Sequence, residues 1–185
     1  EDGDEIEALI DRALENVKRL DGTLSQSLRT ARSRHAPHRR VDLRSVLRSA
    51  AQMAEGGFNE SGSTCDLVAP GGHAVWVLGD ALALEQLFLN LLLNSAQALP
   101  RGARAAIALD VDGSELRVVV SDTGGGISAG DLEHVLDPFF STKADGTGLG
   151  LPIARQIAAA HGGSLRIESA RGEGTRVEVR LPLAA

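Results

Sequence analysis

The sequence predicts an α+β fold, a two-layer α/β sandwich in which a mixed sheet carries helices on one face, with one long helix in front of it. Three observations predict it. Apolar residues at Ile6, Ile10, Ala13, Val17, Leu20, Leu24 and Ala31 fall at steps of three and four, broken only at Ser27, a narrow heptad seam with polar flanks that marks a helix made to pair with others or a surface helix lying on its own core. Residues 79–99 carry a second helical stripe at Leu84, Leu87, Phe88, Leu91, Leu92 and Ala98, opened by Asp80 as N-cap. The strand-like runs elsewhere follow one another as hairpins, without the regular alternation of strand and helix that builds a parallel sheet.

Each element has its own local reason. Gly22 in the first helix costs about 1 kcal/mol against alanine, which a packed helix absorbs. Pro37 ends that helix inside the basic cluster 33–40, and residues 37–41 read as a linker. Asp42 can cap a second helix that runs through Val46 and Ala50 to about Ala54, where Gly56 and Gly57 follow. The runs "TCDLVA" and "AVWVLG", separated by Pro70, Gly71 and Gly72, read as a hairpin. "AAIALDV" and "ELRVVVSD" read as another, turning at Asp112 and Gly113. A helix opens after the glycines near Leu149 and closes at Gly162, a favoured residue for left-handed geometry. "SLRIES" and "TRVEVRLPL" then form a last hairpin around "ARGEG".

Composition narrows the function. With 19 basic and 25 acidic residues the formal charge is -6, so no uniformly positive surface is offered to a nucleic-acid backbone. Cys65 is alone and cannot form an internal disulfide, and no Cys/His group has zinc-site spacing, which fits a cytoplasmic protein. The longest apolar run, 87–93, is broken by Asn90 and falls far short of the roughly 20 residues a membrane helix needs. No signal peptide is present, and a chain opening at Glu1 is expected to be part of a longer protein.

The stretch "DPFFSTKADGTGLGL", 137–151, sets Gly146, Gly148 and Gly150 close behind Lys143. A dinucleotide fingerprint is excluded, because the third glycine comes one residue early and no strand precedes it. A P-loop is excluded because Lys143 precedes the glycines rather than following them. Glycines beside a helix start still let backbone N–H groups approach an anion, with the positive end of the helix aimed at it. Asp122 ends the strand "LRVVVSD", and Gly124, Gly125 and Gly126 leave its carboxylate unshielded, able to accept a hydrogen bond from an exocyclic amine. Asn90 and Asn94 share a helix face at i, i+4, and an amide oxygen there suits a magnesium ion that also takes phosphate oxygens.

In their order and spacing these pieces resemble the catalytic ATP-binding domain of bacterial sensor histidine kinases, within the group shared with type II topoisomerase, mismatch-repair and chaperone ATPases. "NLLLNSAQA" is similar to the family's asparagine box, "DTGGGI" to its first glycine box, "DPFF" to its phenylalanine box, "GTGLGL" to its second glycine box and "GEGTRVEVRLP" to its closing element. The short lid resembles the nitrogen-regulation type. The resemblance implies the Bergerat ATP-binding fold over 42–185, with 1–36 as the second helix of a dimerisation hairpin. It implies that Asp122 holds the adenine amino group, that Gly124 and Gly126 form the adenine wall, and that Thr175 acts nearby through water. Asn94 would ligate Mg2+ with Asn90 beside it, and Lys143 would be a mobile positive charge. Gly146, Gly148 and Gly150 would give backbone donors to the phosphates, and Ile127, Phe140, Thr142, Thr147, Leu149 and Leu151 would complete the nucleotide contacts. Phe139 and Phe140 would anchor the lid, or one of them would belong to the core.

The activity implied is transfer of the ATP γ-phosphoryl group to a histidine and then to an aspartate of a response-regulator receiver domain, in a homodimer formed through the first helix. The expected acceptor segment, a histidine followed by an acidic residue and a proline, is absent from this sequence. His35 and His38 flank Pro37, His134 lies before the lid, and His161 ends a helix. Related ATPases place a general-base glutamate where Asn90 stands, and an amide cannot take a proton, so fast hydrolysis is disfavoured. A serine kinase of the same fold, of the anti-sigma-factor type, and a nucleotide-gated binding module without transfer activity are the alternatives.

Overall fold

The computed structural model describes residues 39–68, 74–143 and 146–184. The heptad seam of 6–31, His35, His38 and the turn residues Pro70, Gly71 and Gly72 lie outside the described residues. In chain order the elements are β1 (Arg39–Asp42), α1 (Leu43–Ser61), β2 (Thr64–Val68), β3 (Trp76–Gly79), α2 (Ala81–Ala98), β4 (Arg104–Asp112), β5 (Glu115–Asp122), α3 (Ala129–Leu132), α4 (Gly150–Ala160), β6 (Ser164–Ser169) and β7 (Thr175–Pro182). A five-stranded mixed sheet has the order β2-β4-β5-β7-β6, and β1 and β3 form a separate two-stranded ribbon.

Strand alternation divides the large sheet into an apolar and a charged face. Leu116, Val118 and Val120 of β5 and Val177, Val179 and Leu181 of β7 are buried on one side. They share one core with Leu47 and Phe58 of α1, Leu87, Phe88 and Leu91 of α2, and Ile157 of α4. The opposite face carries Arg117, Glu178 and Arg180. Arg180 reaches Glu178 at 2.8 Å, Asp112 at 3.2 Å and Glu115 at 3.3 Å, and its hydrogen bond to Glu178, with the nearby Arg117 and Arg176 charges, holds the Glu178 carboxyl below its usual range. Such solvated pairs add little stability each, but they keep that face polar.

Several expectations are corrected. β2 and β3 do not form a hairpin: β2 runs parallel to β4, from Thr64 opposite Arg104 to Val68 opposite Ala108, while β3 pairs antiparallel with β1. Turn residues between two strand-like runs show only that the chain bends there, whereas the partner is chosen by which apolar faces meet in the core. The stretch 39–41 is accordingly strand rather than linker, with the Arg40 guanidinium 5.3 Å from the centre of the Trp76 ring. The helix capped by Asp42 continues past Ala54 to Ser61. Phe58, one turn on, is buried, and Gly57 lies against Leu93 and Ala96, where its missing side chain lets α1 and α2 approach. Gly62, at φ 64°, ends α1 with its own N–H on Asn59 O and the Ser63 N–H on Phe58 O.

Other expectations match the coordinates. Asp42 accepts from Arg44 N at 3.1 Å, and Asp80 accepts from Leu82 N at 3.0 Å and Ala83 N at 3.4 Å. β4 and β5 form a hairpin whose two-residue turn is Gly113 and Ser114, one position later than expected, because Asp112 still pairs with Glu115. Gly162 follows α4 at φ 70°. Among the described residues no helix is long and apolar enough to cross a membrane.

Burial of the Cys65 side chain, helped by the neighbouring Asp66 charge, pushes its thiol up to about 11. The thiolate is the reactive form, so alkylation by iodoacetamide in the folded protein should rise about tenfold per pH unit from pH 8. A rate plateau already reached by about pH 9, the range of an ordinary thiol, would contradict this.

Candidate functional site

The site lies at one end of the apolar sheet face, where β5, β7 and β6 finish beside α2. Asp122 continues the inward series Leu116, Val118, Val120, so the register that buries those residues also turns its carboxylate inward, where it is 8% exposed. Both oxygens are held. Ser95 Oγ of α2 donates to Oδ2 at 3.0 Å, and Gly124 N donates to Oδ1 at 2.9 Å. Across the sheet Thr175 is the register partner of Asp122, and Ser169 that of Thr175. Ser169 Oγ takes the Ile127 N–H at 2.9 Å and donates to Gly174 O at 2.7 Å. Gly172 N donates to Gly125 O at 2.8 Å, so the glycine loop is tied to the β6–β7 turn. Gly126, at φ 66°, packs so closely on Ala170 O that a side chain would overlap that carbonyl. A concavity of about 420 Å³ opens at this end of the sheet, lined by Asp122, Thr175 and Ser169 together with Ser121, Arg176 and Glu168 of the outward register row, and it does not extend to Gly126, Asn94 or Gly150.

The other end of the site is built on α2 and the start of α4. Asn90 is buried. Its amide donates to Gly150 O at 3.1 Å and its carbonyl accepts from Gln86 Nε2 at 2.8 Å, so it fixes the first residue of α4. Asn94, one turn later, faces the same glycine, where a side chain at position 150 would stand 3.5 Å from Nδ2 and 3.8 Å from Oδ1. Among the described residues no side chain caps the N-terminus of α4, and Pro152 sits in its first turn, where a missing N–H costs nothing. Its leading N–H groups are therefore available to an anion. Leu149 and Leu151 pack against the core.

Lys143 Nζ donates to Gln97 Oε1 at 2.9 Å and to Asn94 O at 3.4 Å, which places its charge on α2 rather than in free solvent. Desolvation there lowers its pKa from 10.5, against a smaller upward pull from Asp122. Thr142, Gly146 and Thr147 are exposed along the same rim. Phe140 is half-buried with its ring 5.6 Å from that of His134. Phe139 is corrected: its ring is 74% exposed and neither anchors the lid nor enters the core. It is the backbone of Phe139, at φ 69°, that holds the segment, donating to Gly148 O at 3.0 Å. Gly148 is required there because a side chain would run into the Phe139 and Phe140 backbone.

Sequence reasoning passed over Ser95, Ser169, Gln97 and Gln86. Ser95 and Gln97 were open to it, being one and three residues beyond Asn94, and Gln86 precedes Asn90 by one helical turn. Ser169 needs the register of β6, β7 and β5 together. His161 is buried, with Nε2 accepting from Asp80 N at 3.1 Å and Nδ1 donating to Ile157 O at 2.8 Å, which engages both ring nitrogens in structure.

Residues 79–185 match the family described as histidine kinase-, DNA gyrase B-, and HSP90-like ATPase. Sporulation kinase C of Bacillus subtilis strain 168 is 32% identical over 167 residues, covering 90% of this chain and 39% of that protein. Sensor histidine kinase ZraS of Escherichia coli O157:H7 is 30% identical over 185 residues, covering 98% of this chain and likewise 39% of its own length, so the chain spans well under half of these curated relatives. Among solved structures, a mycobacterial sensor histidine kinase, MprB, superposes with a TM-score of 0.70 at 29% identity, over 79% of this chain and 97% of that one.

The contrast between adjacent glycines is measurable. Gly126→Ala meets both a positive φ and the Ala170 carbonyl, and should cost about 2 kcal/mol or more. Gly125→Ala meets nothing within 4 Å and should shift stability by less than about 0.5 kcal/mol. Urea unfolding of the two variants checks this, and equal losses would show that the wall is not set by Gly126.

Proposed function

This chain belongs to the histidine kinase-, DNA gyrase B-, and HSP90-like ATPase family, and from that premise we propose that it is the ATP-binding catalytic region of a two-component sensor histidine kinase. The reaction is transfer of the ATP γ-phosphoryl group to a histidine, and from there to an aspartate of a receiver domain. One observation carries the nucleotide reading: a buried carboxylate whose oxygens are both held as acceptors lies against Ser95 of α2, and a helix N-terminus with no side-chain cap among the described residues lies against Asn90 and Asn94 of the same helix. A base with an exocyclic amine suits the first, and phosphates suit the second.

In this reading Asp122 accepts an N–H of the adenine amino group, Thr175 stands beside it, and Gly124, Gly126 and Ile127 form the flat wall. Thr147, Gly148, Leu149, Gly150 and Leu151 present backbone N–H groups toward the phosphates, while the Gly146 N–H, expected to join them, donates to Lys143 O at 3.1 Å, and Thr142 and Phe140 border the group. Lys143 supplies positive charge from α2. The donor set fits magnesium in a limited way: among the described residues no group of three or more His, Cys, Asp or Glu comes together, while the Asn94 amide lies beside Gly150, with its oxygen 3.8 Å from where a side chain there would begin. Asn94 would hold the ion, which when bound neutralises phosphate charge. What this chain does toward transfer is positioning and charge compensation.

Asn90 also favours transfer over hydrolysis. Its carboxamide has no basic atom, so it does not take a proton from water, and its bonds to Gln86 and Gly150 fix its orientation. The γ-phosphate is thereby kept for an acceptor presented by another helix. Homodimerisation through the N-terminal helix would supply such a neighbour.

Two measurements test the proposal. Asp122→Asn removes a charged acceptor and should weaken ATP binding by about 100-fold in calorimetry, while Asn94→Ala should remove the dependence of affinity on Mg2+. Unchanged ATP affinity in the first variant would refute the site. Incubating the protein with radiolabelled ATP and a dimerisation domain carrying a phosphoacceptor histidine should give acid-labile, base-stable label on that domain. Acid-stable label would assign serine-directed transfer, and no label would leave a binding module.

A further inference from the structure

A line of hydrogen bonds runs from the second turn of α2 to the first peptide of α4, and every polarity in it is forced. Gly150 O is a carbonyl and can only accept, so the Asn90 atom 3.1 Å from it is the amide nitrogen. The Asn90 oxygen therefore faces Gln86, and the Gln86 atom 2.8 Å from that oxygen is in turn a nitrogen, because two carbonyl oxygens do not bond. Asn90 is buried and Gln86 half-buried, one helical turn apart on the same face.

The line continues through the backbone. Gly150 O and the Leu151 N–H belong to one trans peptide unit, whose planarity sets them antiparallel, so holding the carbonyl against α2 fixes the direction of that N–H. The Leu151 N–H is one of the few donors the helix start leaves over. Pro152 has no N–H, and Ile153 N already donates to Leu149 O at 3.0 Å, which leaves the Gly150 and Leu151 N–H groups as the first-turn donors without an acceptor inside the helix. Leu149 at the N-cap makes no side-chain hydrogen bond, and glycine at 150 has no Cβ to restrict the backbone, so the tie to α2 sets the plane of this peptide.

The geometry points to Gln86 as a positioning residue for phosphate: it keeps the Asn90 amide turned so that its nitrogen holds Gly150 O, and thereby aims the Leu151 N–H out of the helix start at the anion. This rests on the nucleotide reading above and adds to it a residue that acts through another. Without the Gln86 donor the Asn90 carboxamide loses one of the bonds that set its orientation, and an oxygen turned toward Gly150 O would repel it. The base end is held separately, since Asp122 takes its donors from Ser95 and Gly124. Gln86 therefore governs the contribution of the phosphates and not that of the base.

Calorimetry of ATP and ligand-observed NMR titration of adenosine, which carries the base and no phosphate, test the assignment on the full chain. Gln86→Met keeps the side chain's length and neutrality and removes the donor. It should weaken ATP by about tenfold and leave adenosine within about twofold of wild type. Asn90→Ala should do the same, and adding Gln86→Met to it should weaken ATP no further. Equal weakening of ATP and adenosine in Gln86→Met would overturn the inference and leave Gln86 a structural residue. Unchanged ATP affinity in that variant, or losses that add in the double variant, would overturn it as well. Should Gln86→Met not fold, an ATP-to-adenosine ratio in Asn90→Ala equal to that of wild type overturns it equally. A wild type that binds neither ligand, or binds ATP no more tightly than adenosine, would instead overturn the nucleotide reading of the site.

Discussion

The rotation of α2 about its own axis is the constraint on which everything else depends. Leu84, Leu87, Phe88, Leu91 and Leu92 are buried almost completely between α1, α4 and the sheet. Each such side chain stabilises the fold by about 1.5–3 kcal/mol on burial, so turning the helix by one residue would expose several of them at once. With that face fixed, helical spacing decides where the polar residues go. Asn90 and Asn94 meet the start of α4, Ser95 meets Asp122, and Gln97 meets Lys143. A hydrophobic requirement thus places four polar side chains of the site.

The ends of α2 and α4 are joined by a second buried contact. His161, at the end of α4, accepts the backbone N–H of Asp80, the N-cap of α2, and donates to Ile157 O. Its ring lies so close to Gly79 that any side chain there would overlap it. An Nε2 that accepts a backbone proton must itself be unprotonated, so the imidazole is neutral here. Asn90 joins the same two helices at the opposite end of α4, through Gly150. Between these ties α4 cannot slide relative to α2, and its uncapped N-terminus keeps a fixed distance from Asn94.

The two ends of the site obey different rules. At the sheet end the buried Asp122 carboxylate takes one donor on each oxygen, from Ser95 and Gly124, and keeps further lone pairs, which leaves an acceptor. At the helix end the backbone supplies donors that no side chain among the described residues satisfies. A ligand with donors at one end and negative charge at the other matches both. Gly126 and Gly148 serve close approach, each with a backbone where a side chain would lie.

The sequence by itself determined the large elements among the described residues, both aspartate caps, the hairpins of β4–β5 and β6–β7, and the candidates from which the site is proposed. These are local properties: a stripe at helical spacing, a short acidic side chain before a helix, glycine at a turn. Tertiary structure decided the rest. β2 chose β4 and β3 chose β1, because strand pairing follows the meeting of apolar faces across long separations, which turn residues do not encode. α1 ran past Gly56 and Gly57 because burial of Phe58 outweighs their low helix propensity. Phe139 turned outward because its backbone, not its ring, meets Gly148. Ser169 became part of the site only when three strands set their register side by side, and register depends on the whole sheet packing on α2.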